Sequence, residues 1–209
     1  MKISVIIICR NSLETLKSCL QSVIEQTFKP YEIIIVDGNS TDGTITYLNQ
    51  FNSILVVPQL ESGIANARNL GLNRSTGDTI AFLDADDIWP TNSLELRVNH
   101  LKSNTKLISV GGLLLKSNDL NNPIPAYTPG GFLFKKELFI YLGYFDEKWK
   151  YASDHAWFKK IIQENYQYEL LNDIVLIKGI HTLNTSIIYK QAYRDEIMEI
   201  LRSSKKTLK

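Results

Sequence analysis

A chain of 209 residues with 44% hydrophobic and 22% charged side chains can bury one sizeable core, and these ordinary values argue against disorder. Its formal net charge of +1 gives no electrostatic reason to expect a nucleic acid as partner. Two cysteines, Cys9 and Cys19, are too few for a disulfide framework or a four-thiolate zinc site, and both are expected to pack as small hydrophobes.

The chain opens into a strand without a basic-then-apolar leader, and no apolar run reaches the length of a membrane-spanning helix. The expectation is a cytoplasmic protein with at most peripheral association at the inner face of the cell membrane. Ile3 to Ile8 is a continuous apolar run, as in a strand covered on both faces. Asn11 or Ser12 is placed to cap a helix, with Glu14 reaching back and Leu13, Leu16, Leu20, Val23 and Ile24 as its stripe. After Pro30, Ile33 to Val36 gives a second buried strand ending at Asp37. A polar turn from Gly38 to Gly43 leads into a short helix ending near Phe51. Ile54 to Val57 reads as a third strand, Gly63 to Leu72 as a helix and Thr79 to Leu83 as a fourth strand. That strand runs into Asp84-Ala85-Asp86-Asp87.

The rhythm of strand and helix predicts an α/β protein with a mostly parallel, doubly wound sheet. Ligands of such sheets gather at the carboxyl ends of the strands, where Asn11, Asp37 and the 84–87 acids all fall.

Beyond Pro90 the pattern is less regular. A helix carries Leu94, Val98 and Leu101, Leu107 to Leu115 reads as a strand, and Phe132 to Phe134 as another. Lys135 to Leu142 and Ser153 to Glu164 read as helices, and residues 168–177 and 183–189 as extended. A closing helix from about Gln191 puts Ala192, Tyr193, Ile197, Ile200 and Leu201 on one face, narrow enough to predict docking onto the body. Thr128-Pro129-Gly130-Gly131 fits either a plain turn or a close backbone approach to a ligand. No repeat or linker interrupts the chain, so one domain over 1–209 is expected.

Carboxylates crowded at a buried strand end repel one another unless a cation or hydrogen-bond donors compensate. Hard oxygen ligands at this density suit Mg²⁺ or Mn²⁺, which favour one or two carboxylates together with substrate phosphates. Asp86, with Asp84 beside it, is therefore a candidate metal ligand, while Asp87 is placed to cap the helix after Pro90.

At this point an ordered set of motifs becomes specific. Ser4-Val5-Ile6-Ile7, Asn11, Leu20, Ser22-Val23 and Gln26-Thr27 come first, then Glu32-Ile33-Ile34-Ile35-Val36-Asp37-Gly38 and Ser40-Thr41-Asp42-Gly43-Thr44. Gly63-Ile64-Ala65-Asn66-Ala67-Arg68-Asn69-Leu70-Gly71, Thr76-Gly77-Asp78 and Phe82-Leu83-Asp84-Ala85-Asp86-Asp87 continue the series. Gly143-Tyr144-Phe145-Asp146-Glu147 and Ser153-Asp154 complete it. The set resembles the family 2 inverting glycosyltransferases of GT-A fold, densely before Pro90 and more sparsely to about residue 190.

The resemblance implies transfer of a sugar from a nucleotide diphosphate donor, with UDP expected, to a hydroxyl of a carbohydrate or lipid-linked acceptor in cell-envelope polysaccharide or glycolipid assembly. It implies a nucleotide-binding half over about 1–90, an acceptor-side half over about 91–190 and a C-terminal helix over about 191–209. A homo-oligomer is left open. Asp37 matches the residue that hydrogen-bonds base or ribose, Arg68 an arginine near the diphosphate, and Asn11 and Asp84 further donor positions. Asp86 matches the last acid of the Asp-x-Asp motif that holds the metal, and His181 a histidine that some relatives place near metal or diphosphate. Asp154 matches the general base, a role that suits a carboxylate whose pKa a sheltered site can raise. Asp42 is read instead as serving the turn and a helix start, and His155 and His100 have no assigned role.

Two departures stand out. Ile8 and Arg10 flank the expected base pocket where many relatives carry a proline and a tyrosine, and Ser153 replaces the usual acid before the base. Rival readings fit less well, among them a dinucleotide-dependent oxidoreductase, since no strand is followed by Gly-x-Gly-x-x-Gly. A sugar nucleotidyltransferase would want a glycine-rich loop after the first strand, where Cys9-Arg10-Asn11-Ser12 stands, and a non-catalytic binding module would have no use for both Asp86 and Asp154.

Overall fold

The computed structural model describes residues 1–182 and 184–203. Four strands, β1 (Ile3–Cys9), β2 (Glu32–Asp37), β3 (Ile54–Pro58) and β4 (Thr79–Asp84), form a parallel array in the order β3-β2-β1-β4. Three helices connect them: α1 (Leu13–Ile24), α2 (Thr44–Leu48) and α3 (Ile64–Arg74). Beyond β4 come α4 (Ser93–Ser103), β5 (Ser109–Lys116), β6 (Asp119–Pro125), a 3₁₀ turn over Pro129–Gly131, and β7 (Leu133–Lys135). The chain continues with α5 (Glu137–Leu142), α6 (Ser153–Gln163), β8 (Tyr168–Lys178), α7 (Thr185–Ile188) and α8 (Lys190–Ser203).

β7 extends the sheet antiparallel to β4 and joins it to β5, whose opposite partner β8 runs parallel. The sheet is therefore parallel in its first half and mixed in its second. β6, every residue of which is exposed, pairs with the end of β5. Its sequence, Asp-Leu-Asn-Asn-Pro-Ile-Pro, has no apolar alternation, so nothing in it announces a strand; hydrogen bonding to β5 makes it one.

Strand alternation sorts the core into two layers. Ile3, Val5, Ile7 and Cys9 pack with Leu16, Cys19, Leu20 and Val23 of α1 and Leu94, Val98 and Leu101 of α4. Ile6, Ile34, Val36, Ile80 and Phe82 point the other way, onto Ala65, Ala67 and Leu72 of α3 and Trp157, Phe158 and Ile161 of α6. α3 lies close to β1 because Gly71 has no side chain: a Cβ there would stand 2.3 Å from Ile6 Cγ2.

Several local expectations are corrected. Neither Asn11 nor Ser12 caps α1 by its side chain, and Glu14 pairs with Lys17 instead; the Leu13 N–H is taken by Asp42, at 2.9 Å across the rim. Asp42 also accepts from the N–H and hydroxyl of Thr44, so one carboxylate starts two helices. Asp87 does not cap α4, whose Leu94 N–H goes to Gln26 Oε1. Ile24 and Leu201 are exposed rather than part of their helices' buried stripes. Residues 185–188 form α7, not a strand; the expectation for Leu183 and for the tail beyond Ser203 lies outside the described residues. No described helix is long and apolar enough to cross a membrane.

Candidate active site

Asp84, Asp86 and Asp87 each offer a carboxylate oxygen within 4.8 Å of the others. β8 explains why they can crowd. Ile88 and Ile177 exchange two backbone hydrogen bonds, of 2.9 and 2.8 Å, which tie the loop after β4 to the end of β8. Gly179 then passes so close that an added Cβ would stand 2.0 Å from the Asp86 carbonyl oxygen. This approach delivers Lys178, His181 and Asn184 to the acids.

Each acid has a different partner. The buried Arg68 donates from Nη2 to Asp84 at 3.0 Å, and its guanidinium lies 5.6 Å from the Phe145 ring centre. Burial works against the Asp84 charge, yet Arg68 and then Lys178 hold its carboxyl below the ordinary range. Lys178 Nζ donates to Asp87 at 3.1 Å and stands 3.9 Å from Asp84. Burial opposes the lysine's charge as well, but Asp87, Asp84 and Asp86 together raise it above its ordinary value. Burial pushes the Asp87 carboxyl upward against the pull of Lys178, and the Gly179 N–H at 3.0 Å supports its anionic form. We read this close contact as an ion pair.

Asp86 is held differently. Its Oδ2 lies 3.0 Å from His181 Nε2 and accepts from Asn184 Nδ2 at 2.9 Å. The same asparagine accepts the His181 N–H through Oδ1 at 2.7 Å. Asp84, Asp86 and Asp87 together could hold a divalent cation such as Mn²⁺ or Mg²⁺, and His181 stands against Asp86 at their edge.

Asp154 opens α6, and its side chain is partly exposed at 18%. Oδ1 accepts from the His155 N–H at 2.9 Å and meets His155 Nδ1 at 3.0 Å. Burial raises its pKa, but the bond to His155 and the charge of Arg68 bring the net shift below the ordinary value, opposite to the raised base that a sheltered site suggested. Asp154 and Asp84 sense each other's charge, and Arg68 acts on both, so the α6 carboxylate belongs to the same electrostatic neighbourhood as the acid cluster. His155, which had no assigned role, is pulled upward by its bond to Asp154. Its ring nitrogens stand 3.3 and 3.5 Å from the hydroxyl of Tyr193 on α8.

The remaining expected donor residues line the rim of β1 and β2. Ile8 pairs with Asp84 in register and Cys9 with Asp37, so adjacent positions turn the two acids to opposite faces of the sheet. Asp37 is buried, taking the Ser40 N–H at 3.0 Å and the Cys9 thiol at 3.6 Å. It stands at the same rim as the acid cluster without joining it. Asn11, with a left-handed φ of 48°, stitches the rim: its N–H goes to Ser40 Oγ and its Oδ1 takes the Thr41 N–H, both at 2.8 Å. Arg10 is exposed and packs its stem over Gly38, while Ile8 is half-buried. Both thiols are raised by burial and their acidic neighbours, in keeping with a packing role. Gly130 lies beside the acids: its carbonyl accepts Trp89 Nε1 at 2.8 Å, and an added Cβ would stand 3.8 Å from Asp87 Oδ2.

Lys178 and Asn184 were missed in the sequence. Their nearest signal is Lys178-Gly179-Ile180-His181 at the end of a strand, and only the tie between β8 and the 84–88 loop makes it readable. The Gly143–Glu147 motif also gains a meaning. Asn69 brackets Phe145 through its N–H and carbonyl, at 3.0 and 2.9 Å, and reaches Glu147, locking α3 of the first half to the second.

A parallel array with metal-suited acids after its fourth strand, completed by a mixed second half, is the GT-A fold of nucleotide-sugar glycosyltransferases. Solved structures agree: a mannosyltransferase from Pyrobaculum calidifontis in complex with GDP-Man and Mn²⁺ superposes with a TM-score of 0.79 at 22% identity, covering 98% of this chain and 64% of that one. TarS of S. aureus in complex with UDP-GlcNAc gives 0.75 at 20%, covering 87% and 59%. The chain belongs to glycosyl transferase family 2, which it matches over residues 4–170. Among curated relatives, a β-1,3-glucosyltransferase of Escherichia coli that uses UDP-Glc and α-D-GlcNAc-diphosphoundecaprenol is 31% identical over 56% of this chain and 47% of its own length. A cholesterol galactosyltransferase of Borreliella burgdorferi is 28% identical over 92% and 58%. A putative teichuronic acid biosynthesis glycosyltransferase of Bacillus subtilis is 35% identical over 56% and 48%. The chain thus spans about half the length of the curated relatives it matches.

Proposed function

We propose that this chain transfers a sugar from a UDP-linked donor to an acceptor hydroxyl with inversion at the anomeric carbon. The observation that carries this reading is the division of labour among the four carboxylates. Asp84 and Asp87 are neutralised by Arg68 and Lys178, Asp86 stays with His181, and Asp154 stands in the same field on the other half of the molecule.

Asp86 and His181 would hold Mg²⁺ or Mn²⁺, which supplies charge stabilisation to a departing diphosphate. Arg68 has a buried Nε with no hydrogen-bond partner among the described residues, an orphan donor suited to a phosphate oxygen or donor hydroxyl. Ile8, Arg10, Asn11 and Asp37 shape the rim where the base and ribose would lie. Asp154, ionised at neutral pH, would accept the proton of the attacking hydroxyl from the face opposite the leaving group, which is the geometry of a single inverting displacement. The UDP assignment is supported by the UDP-linked donors in the names of the E. coli relative and the TarS complex, set against one GDP-Man complex. Two of the curated relatives name lipids, diphosphoundecaprenol and cholesterol, which supports a lipid-linked or glycolipid acceptor presented at a membrane surface.

A thermal-shift screen of nucleotide sugars with and without Mn²⁺ tests donor class and metal together. UDP-sugars are expected to raise the melting temperature only with the cation, and stabilisation by GDP-sugars alone would overturn the UDP assignment.

A further inference from the structure

Helix α8 bonds directly to the segment that leads into Asp154. Asp154 begins α6, but the residues just before it, Lys150, Tyr151 and Ala152, form a loop whose amides have no partner in their own segment. All three donate to one carboxylate, that of Glu196 on α8, at 3.0, 2.9 and 2.8 Å. A carboxylate at the entrance of a helix also favours its N-terminal dipole, and α6 has no side-chain cap of its own.

Two further contacts join the same pieces. The Tyr151 ring stacks on Tyr189, just before α8, with centres 4.9 Å apart. Trp149, Ala152 and Ile200 form a small separate core, with Ala156, Tyr193 and Ile197 packed against it. Tyr193 of that group reaches His155, the partner of Asp154. Helix α8 is thus bonded to the segment that aims Asp154, more than 40 residues away in sequence.

We propose that Glu196 is a positioning residue: by gathering the amides of residues 150–152 it fixes the start of α6 and with it the direction of the Asp154 carboxylate toward the acceptor hydroxyl. The inference rests on the reading of Asp154 as the base, and its test keeps the two apart. Three variants of the full chain, Glu196→Ala, Glu196→Gln and Asp154→Asn, are compared by UDP release from UDP-glucose with Mn²⁺ and by amide hydrogen exchange.

Glu196→Ala is expected to lower kcat roughly ten- to a hundredfold, the scale set by small misplacements of a reacting group, with donor KM unchanged. The amides of residues 150–152 should exchange faster. Glu196→Gln, which keeps one carbonyl acceptor, should recover part of the kcat, and it carries the test if the alanine variant fails to fold. Unchanged kcat in both Glu196 variants, beside an inactive Asp154→Asn, would overturn the positioning role and leave the base assignment standing. Full turnover in Asp154→Asn would overturn the base assignment itself. A fall in stability with kcat intact would reduce Glu196 to an ordinary tertiary contact.

Discussion

The proposed donor-side rim and the proposed acceptor side of this molecule are built in different ways. At the rim, residues are placed by strand register: β1 pairs with β2 and β4 on either side, so Asp37 and Asp84 end the two strands that flank β1. On the acceptor side no strand carries Asp154. It is aimed by α6, which α3 holds through the aromatic core and Asn69, and which α8 ties down through Glu196. A frame built from register tolerates changes away from the strands, whereas one built from distant tethers fails wherever a tether is cut.

That contrast orders the expected effects. The largest belongs to Asp154. Asp154→Asn should leave donor affinity in place and cut transfer roughly a hundred- to ten-thousandfold, the usual worth of one general base, measured as initial rates beside UDP titrations. Next comes the meeting point of the two halves. Gly179→Ala forces a methyl group against the Asp86 carbonyl and should lower thermal stability by about 1–3 kcal/mol, as overpacking commonly does. It should also weaken metal-dependent UDP binding, and an unchanged melting temperature would show that β8 is not held against the acid loop.

A smaller effect sharpens the acceptor side alone. The bond to Asp154 should hold the His155 ring above its ordinary pKa of 6.5, with the Tyr193 hydroxyl also at the ring. For a raised histidine the sign is definite: its contribution to stability is full below 6.5 and fades as pH rises through the folded-state value. An NMR titration should show the raised midpoint, returning toward 6.5 in Asp154→Asn. The smallest effect is expected at the exposed rim. Asp42→Ala removes the acceptor for Leu13 and Thr44 and should lower the melting temperature slightly with turnover unchanged.

The same contrast explains what was legible in the sequence. The first four strands are apolar runs bounded by turn residues, and a parallel sheet buried on both faces needs little more, so the pattern alone puts Asp37 and the 84–87 acids at strand ends. The start of α6 was legible too, because Trp157 and Ile161 repeat at helical spacing.

Contacts that close over long separations were not. Lys178 meets Asp87 across 91 residues and Asn184 meets Asp86 across 98, and neither residue type is unusual where it stands. Asp87 reads as a helix cap because nothing local shows the lysine that claims it. Glu196 reads as one more charge on an exposed helix face until the 150–152 loop is seen beneath it. The rise expected for the Asp154 pKa failed for the same reason: shelter was foreseeable, but the His155 ring turned back onto the carboxylate was not.

The proposed function stands on the strand-end acids gripping a cation and, through it, a diphosphate. Calorimetric titration of UDP into the wild-type chain and into Asp86→Ala, each with and without Mn²⁺, tests it most directly. Tight binding is expected only for the wild type with Mn²⁺, and a signal at or near baseline for Asp86→Ala in either condition. Equal UDP affinity in all four titrations would contradict it.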